Sequence, residues 1–228
     1  IHLRGLAAYN SSRWDLSANI SFDEQQSATG VANVQSDLIK SEDTKAGIVG
    51  EYRLSPKFSL GSGFSYRKKE YIRPENQFAN FDSFTVPVDV YYKWTPKLDL
   101  SVGYTHVIQD VDSYDTAPND PNEGLNEGYD TTTHFFNVGA RGILMPKLTG
   151  FFKVGFNVRD AGNTSIRRNN SESTLGLDAD LAWAATAKLT SNIKLSRDFD
   201  VSGDGNATEV SSVNVSSLYL LDNNWSFS

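Results

Sequence analysis

Apolar and polar side chains alternate strictly along much of this chain, and this alternation restricts its possible folds. In the segment 14–23, Trp14, Leu16, Ala18, Ile20 and Phe22 alternate with polar residues. A period of two is typical of a β-strand that has one apolar and one polar face. No helical pattern of comparable length interrupts the runs, so the sequence predicts an all-β protein with roughly twelve strands. The runs lie at 1–9, 14–23, 45–54, 58–70, 83–94, 98–109, 131–144, 148–159, 173–184, 189–197, 208–221 and 225–228.

The connections between these runs are alternately short and long. Pro56, Pro96 and Pro146 lie in three of the short ones, where the ring fixes φ for a tight turn. The long connections are polar and cover 24–44, 71–82, 110–130, 160–172 and 198–207. Short turns on one side and long loops on the other are typical of an antiparallel up-and-down barrel in an outer membrane.

The composition of the apolar face indicates whether that face meets water or lipid. It carries almost no charge over about ten positions, the length that a tilted strand needs to cross a bilayer. Aromatic residues cluster at the run ends, as in the interfacial girdles of membrane barrels. They are Tyr9, Trp14, Tyr52, Phe58, Tyr92, Trp94, Trp183, Tyr219 and Trp225 near the short turns, and Phe22, Tyr66, Phe84, Tyr104 and Phe156 at the opposite ends. The alternative is a soluble β-sandwich or solenoid with a charged exterior.

The polar face carries charges of both signs, which fits a hydrated lumen better than a packed core. The residues predicted to face the lumen are Glu51, Arg53, Arg67, Asp89, Lys93, Asp99, Arg141, Lys153, Arg159, Asp178, Asp180 and Lys194.

The formal net charge of −7 and the lack of a long basic stretch argue against nucleic acid as a partner. With no cysteine, the chain has no disulfide, thiol nucleophile or Cys-ligated zinc.

A hairpin repeat in this sequence resembles a known family. The stretch Tyr52-Arg53-Leu54-Ser55-Pro56-Lys57 and its copy Tyr92-Lys93-Trp94-Thr95-Pro96-Lys97 each place an aromatic residue before a Ser/Thr-Pro-Lys turn and an alternating strand. They resemble the hairpins of the putative β-barrel porin 2 family. The resemblance implies an outer-membrane barrel of Gram-negative bacteria, often associated with exopolysaccharide export, and it implies no set of functional residues.

The direction of the runs predicts a barrel with more strands than the twelve runs found in this sequence. Run 1–9 ends at a short turn, and the last run begins at one and stops after four residues. We therefore expect 1–228 to be a single β-barrel domain that lacks terminal strands, in a barrel of about fourteen strands or more. Other chains completing the barrel are the alternative.

The segment 198–209 matches the twelve-residue calcium-loop pattern D-x-D-x-S-G-x₅-E. The oxygen ligands would come from Asp198, Asp200, Ser202, Asp204, Asn206 and Glu209. Calcium is the only cofactor that the sequence predicts. The alternative is a polar loop rich in turn-forming residues, because strands rather than helices flank it.

Other charged groups point to partners at the cell surface. Arg67, Lys68 and Lys69, and the pair Arg167–Arg168, could bind lipopolysaccharide phosphates. Seven acidic residues in 110–130 could bind divalent ions or repel anions.

His2, His106 and His134 are scattered without catalytic spacing, so we expect no enzymatic activity.

Two functions remain open at this level. The first is a transmembrane channel or export conduit in the bacterial outer membrane, for polysaccharide or small polar solutes. The second is a structural or interaction barrel whose long loops bind a partner, a glycan or Ca²⁺. Outer-membrane lipid and lipopolysaccharide are expected partners in both cases, and polysaccharide or secretion-system components are further candidates.

Overall fold

The computed structural model of this protein describes residues 1–28, 38–73, 79–115, 125–126, 128–162, 171–201, 207–222 and 225–227. Its strands are β1 (His2–Asn10), β2 (Trp14–Ala28), β3 (Leu38–Arg53), β4 (Phe58–Arg73), β5 (Phe81–Thr95), β6 (Leu98–Val111), β7 (Tyr114–Asp115), β8 (Leu125–Asn126), β9 (Tyr129–Met145), β10 (Leu148–Ala161), β11 (Ser171–Ala184), β12 (Leu189–Val201), β13 (Ala207–Asp222) and β14 (Trp225–Phe227). In the described ranges, no helix is long and apolar enough to cross a membrane.

Twelve of these strands form one antiparallel sheet. Its order is β1-β2-β3-β4-β5-β6-β9-β10-β11-β12-β13-β14, so each strand pairs with its neighbours in sequence, while β7 and β8 form a separate small ribbon between β6 and β9. The predicted all-β, up-and-down architecture is confirmed. Among the described residues, no pairing joins β1 to β14.

The strands extend further toward the long connections than the sequence predicts. Strands β2 to β6 and β9 to β13 have 13 to 17 residues, and crossing a membrane takes only about 9–11. Glu24 and Glu42, placed in a loop by the sequence, pair across β2 and β3. The predicted bounds of the five long connections are therefore wrong. Strand ends that project beyond the apolar band can be polar on both faces, which removes the alternation that marks a strand.

The two faces of the sheet have opposite environments. On the outer face, Val90, Val102 and Val138 stand opposite one another on three adjacent strands, and Val102 is 65% exposed. One position along, Asp89 and Asn137 flank Gly103 on the inner face and are only 7% and 4% exposed. Apolar side chains outside and polar side chains inside are the pattern of a membrane barrel.

A hydroxyl side chain closes several of the short turns. Ser55 Oγ accepts hydrogen bonds from the backbone N–H of Lys57 and of Phe58. Thr186 Oγ1 makes the same pair of contacts with Lys188 and Leu189. The turn at 185–188 therefore forms without the proline that the other copies carry, since the hydroxyl supplies the turn's hydrogen bonds.

Aromatic rings contact one another near both ends of the strands. Close to the short turns, the Trp14 and Tyr52 ring centroids are 4.6 Å apart and those of Phe58 and Tyr92 5.1 Å. Toward the other end, Phe84 packs against Tyr66 at 5.0 Å. The rings join adjacent strands at the levels where a membrane barrel carries its girdles.

Val102 provides a test of the lipid-facing assignment. We expect Val102→Arg to lower the free energy of unfolding by roughly 2–4 kcal/mol, because it places a charge near the middle of the apolar band. Val102→Ala should change it little, since lipid fills the space. Refolding into lipid vesicles measures both. A large loss for Val102→Ala would instead indicate a packed core, where truncation leaves a cavity.

Candidate functional site

The strand register places all the predicted lumen residues on one face of the sheet. Glu51 stands opposite Gly61, Gly61 opposite Asp89, and Asp89 opposite Gly103, and the same face continues through Asn137. Side chains two residues apart share a face. The inner face therefore carries Glu51, Arg53, Arg67, Asp89, Lys93, Asp99, Arg141, Lys153, Arg159, Asp178, Asp180 and Lys194.

Arg141 joins two strands that are far apart in the sheet. Its guanidinium donates to both carboxylate oxygens of Glu51, each at 2.7 Å, and to Asp99 at 3.1 Å. Glu51 lies on β3 and Arg141 on β9, with three strands between them. Strands lie about 4.8 Å apart, so a flat sheet would separate β3 and β9 by roughly 19 Å. The sheet therefore curls around an interior, and Arg141 reaches across it.

A second ion pair crosses the same interior. Lys153 Nζ on β10 lies 2.8 Å from both carboxylate oxygens of Asp89 on β5. The two side chains are only 17% and 9% exposed. Asp178 stands opposite Lys153 in the β10–β11 ladder and adds a second acid beside the amine.

These residues narrow the interior at one level. Arg141 lines three separate cavities of about 330, 330 and 300 Å³, and the face of Tyr91 lies 3.5 Å from its guanidinium carbon. A larger cavity of about 540 Å³ lies toward the long connections, between β2–β6 and β12–β13. We call the narrow level the constriction and define it by its side chains, which are Glu51, Asp89, Tyr91, Asp99, Arg141 and Lys153.

Asp178 borders the constriction beside Lys153, and the other remaining inward charges lie outside it. Arg53 contacts Asp15, Arg67 binds Asp43 at 2.9 Å, and Lys194 binds Asp180 at 3.0 Å. Lys93 lies at the short-turn end, where it borders one of the cavities. Arg159 is 6% exposed and lies 5.8 Å from the Phe199 ring.

Sequence reasoning missed several inner-face residues. From the sequence, Asp43 is predicted to lie in the connection 24–44, because the alternating pattern ends at residue 23 and resumes only at residue 45. Asn137 and Asn157 are buried, and both amide atoms of Asn137 and the Oδ1 of Asn157 have no hydrogen-bond partner among the described residues. Phe81 belongs to a buried apolar cluster with Ala79, Val111 and Tyr129 near the long-connection end. Apolar side chains at odd-numbered positions, which face inward in these strands, were the sequence signal that could have revealed this cluster.

The predicted calcium ligands are only partly described. Ser202, Asp204 and Asn206 lie outside the described residues. Asp198 stands opposite Val210, whereas Glu209 stands opposite Phe199, one ladder position away. Adjacent positions point to opposite faces, and Glu209 instead contacts Arg197 and accepts a hydrogen bond from Thr174 at 2.7 Å. The ladder therefore does not pair Asp198 with Glu209, and calcium binding stays a prediction.

The groups predicted at the cell surface are divided between the two faces. Lys68 lies on the outer face, where it binds Glu70 at 2.7 Å, while Arg67 points inward to Asp43. Arg167, Arg168 and part of the acidic segment lie outside the described residues. Within the described part of the chain, no group of three or more His, Asp or Glu side chains is arranged to hold a metal ion.

The folds of solved structures resemble this one. The translocator domain of the autotransporter NalP from Neisseria meningitidis has a TM-score of 0.56 at 12% identity, with 96% of this chain and 81% of that chain covered. The toluene transporter TbuX from Ralstonia pickettii has a TM-score of 0.47 at 11% identity and coverages of 97% and 72%. The ferric preacinetobactin receptor BauA from Acinetobacter baumannii has a TM-score of 0.47 at 13% identity. The alignment spans 96% of this chain but only 44% of that receptor. A comparison with curated proteins finds no match.

The architecture and the inverted faces define an outer-membrane β-barrel of the porin class. The family model described as "Putative outer membrane beta-barrel porin, MtrB/PioB" matches residues 2–128, more than half of the chain. The chain belongs to this family. The predicted kinship with outer-membrane porins and the location in the bacterial outer membrane are therefore confirmed.

The pair of Asp89 and Lys153 predicts a measurable energetic coupling. We expect Asp89→Asn and Lys153→Gln each to destabilise the fold, because each leaves a mostly buried charge without its partner. The double variant should lose less than the sum, with a coupling of about 0.5–3 kcal/mol. A double-mutant cycle on refolding into vesicles measures it, with Lys97→Gln at an exposed turn as the control. Additive losses would contradict a direct pair.

Proposed function

We propose that this protein forms a channel through the outer membrane and that the constriction selects the solutes that pass. The observation that carries the proposal is the pair of ion bridges across the interior, from Arg141 to Glu51 and from Lys153 to Asp89. A hydrated path lined by both signs of charge favours polar solutes over apolar ones. Membership of a porin family supports a conduit of this kind.

Small polar solutes and weakly charged glycans are the substrate class that we propose. The constriction carries two basic and three acidic side chains, so a strongly charged solute of either sign meets like charge. The aromatic face of Tyr91 beside the guanidinium offers a surface for sugar rings to stack on. Polysaccharide export, which the hairpin resemblance implies, is the form of transport that this lining would serve.

The alternative is a structural or interaction barrel. One observation favours it: the cross-interior ion bridges are direct contacts, so the same side chains that would select solutes could also fill the interior. In that case the exposed strand ends and long connections would provide the function, as a surface for a partner, a glycan or Ca²⁺. Lipopolysaccharide remains a proposed partner in both cases, with Lys68 on the outer face as one cation able to reach its phosphates.

Single-channel conductance of the full-length protein in planar bilayers separates the two proposals. A channel should conduct, and Arg141→Ser should raise its conductance, because the variant removes the longest side chain in the constriction. It should also shift the ion preference toward cations, since Glu51 and Asp99 are left without their partner. Lys97→Gln, which removes the same charge at an exposed turn, is the matched control and should leave both properties unchanged.

The opposite charge change gives a second arm of that experiment. Asp89→Asn leaves Lys153 with less negative charge around it and should shift the preference toward anions. A barrel that stays sealed in wild type and in both variants would support the structural alternative. Equal shifts for Arg141→Ser and Lys97→Gln would show that the constriction does not control selectivity.

A further inference from the structure

Three polar side chains form a cluster on the outer face of the sheet, between apolar neighbours on the adjoining strands. They are Tyr104 and His106 on β6 and His134 on β9, and the two histidines stand directly opposite each other in the ladder. Val86 stands beside His106 on β5 and Val158 beside His134 on β10. Polar imidazoles with apolar neighbours on both sides are uncommon on such a face, and the channel proposal gives them no role.

The three side chains converge on one another through their polar atoms. The Tyr104 hydroxyl oxygen lies 2.7 Å from His134 Nδ1 and 3.3 Å from His106 Nδ1. The imidazole centroids are 5.1 Å apart. In a tetrahedral metal site with bonds of about 2.0–2.1 Å, neighbouring ligand atoms lie roughly 3.3 Å apart. The Tyr104–His106 separation matches that value and the Tyr104–His134 separation is shorter, so a small movement of the side chains would admit an ion.

We propose that Tyr104, His106 and His134 bind a divalent transition-metal ion. The ligands are the two Nδ1 atoms, with both imidazoles neutral, and the Tyr104 oxygen, whose proton passes to solvent as the ion binds. Water completes the coordination. Imidazole nitrogen suits Cu²⁺, Ni²⁺ and Zn²⁺, and Cu²⁺ binds tightest in this series. The chemistry differs from that of the predicted calcium loop, whose ligands are all oxygens.

The position of the cluster gives such an ion access to water. His106 comes eight residues after the start of β6 at Leu98. A tilted strand of that length rises about 20 Å, close to the far edge of an apolar band about 25 Å tall. Asp110 and Asp130 oppose each other four residues further along. The ion would tie β6 to β9 at the membrane surface.

Copper titration of the full, tag-free protein in detergent micelles tests the proposal. Calorimetry should give one tight Cu²⁺ site per chain, and electron paramagnetic resonance should show two coordinated nitrogens. His106→Gln or His134→Gln should leave one nitrogen and weaken binding at least about tenfold. Tyr104→Phe should keep the two-nitrogen signal but bind roughly tenfold more weakly, because it loses the oxygen ligand and the group that orients both rings.

The remaining histidine supplies a matched control. His2→Gln changes the same residue type at the sheet edge, where His2 contacts Asp23, and should leave the copper site unaltered. An unchanged Cu²⁺ stoichiometry and spectrum in the His106→Gln/His134→Gln double variant would overturn the proposal. So would the absence of a two-nitrogen site in wild type, in which case the cluster is an interfacial aromatic group only.

A measurement on the unaltered chain covers the case in which the variants fail to fold. Diethyl pyrocarbonate modifies accessible imidazoles, and peptide mass spectrometry locates the adduct. Zn²⁺ should protect His106 and His134 from modification, while His2 continues to react. Equal protection of all three histidines, or none, would contradict the site. Neither result depends on whether the barrel conducts.

Discussion

The absence of water in the hydrocarbon layer is the constraint on which this structure depends. A backbone N–H or C=O group left unpaired in lipid costs several kcal/mol, so each spanning strand must bond on both edges. The ladders on both edges of β2 to β12 meet that requirement with consecutive strands and short turns on one side. The same constraint inverts the side chains, which explains why valines such as Val102 are exposed while Asp89 and Asn137 are buried.

Because the polar side chains face inward, charged groups are brought together inside the barrel. Charged side chains that are removed from bulk water need partners, because the cost of burying a lone charge is high. Here the partners come from neighbouring strands, as for Arg53 and Asp15, or from across the interior, as for Arg141 and Glu51. The cross-interior bridges hold distant strands together and at the same time narrow the path. One set of contacts thus affects both the stability and the proposed permeability of the barrel.

On the outer face, the ends of the strands also follow the change from lipid to water. Aromatic rings and hydroxyl-capped turns mark the short-turn end, and at the other end the strands continue past the apolar band with polar residues on both faces. The cluster of Tyr104, His106 and His134 lies at that second border, where an apolar face meets water. Side chains there are free to bind ions or head groups without the penalty that they would face at the bilayer centre.

Local alternation along the chain was enough to predict the strands, their up-and-down order and which face of each strand is apolar. A period of two in residues such as those of 14–23 is a local property, and the strand register puts the residues predicted from it to line the lumen on one face of the sheet. The strand ends were wrong where both faces are polar, as at Glu24 and Glu42, because the alternation carries no signal there. Which inward charges meet could be read only from the folded sheet. Arg141 and Glu51 are 90 positions apart, and their contact depends on the curvature of the whole sheet, which no local pattern records. The pairing of His106 with His134 follows from register across the long connection, and that register is fixed by the summed pairing of two strands rather than by either sequence alone.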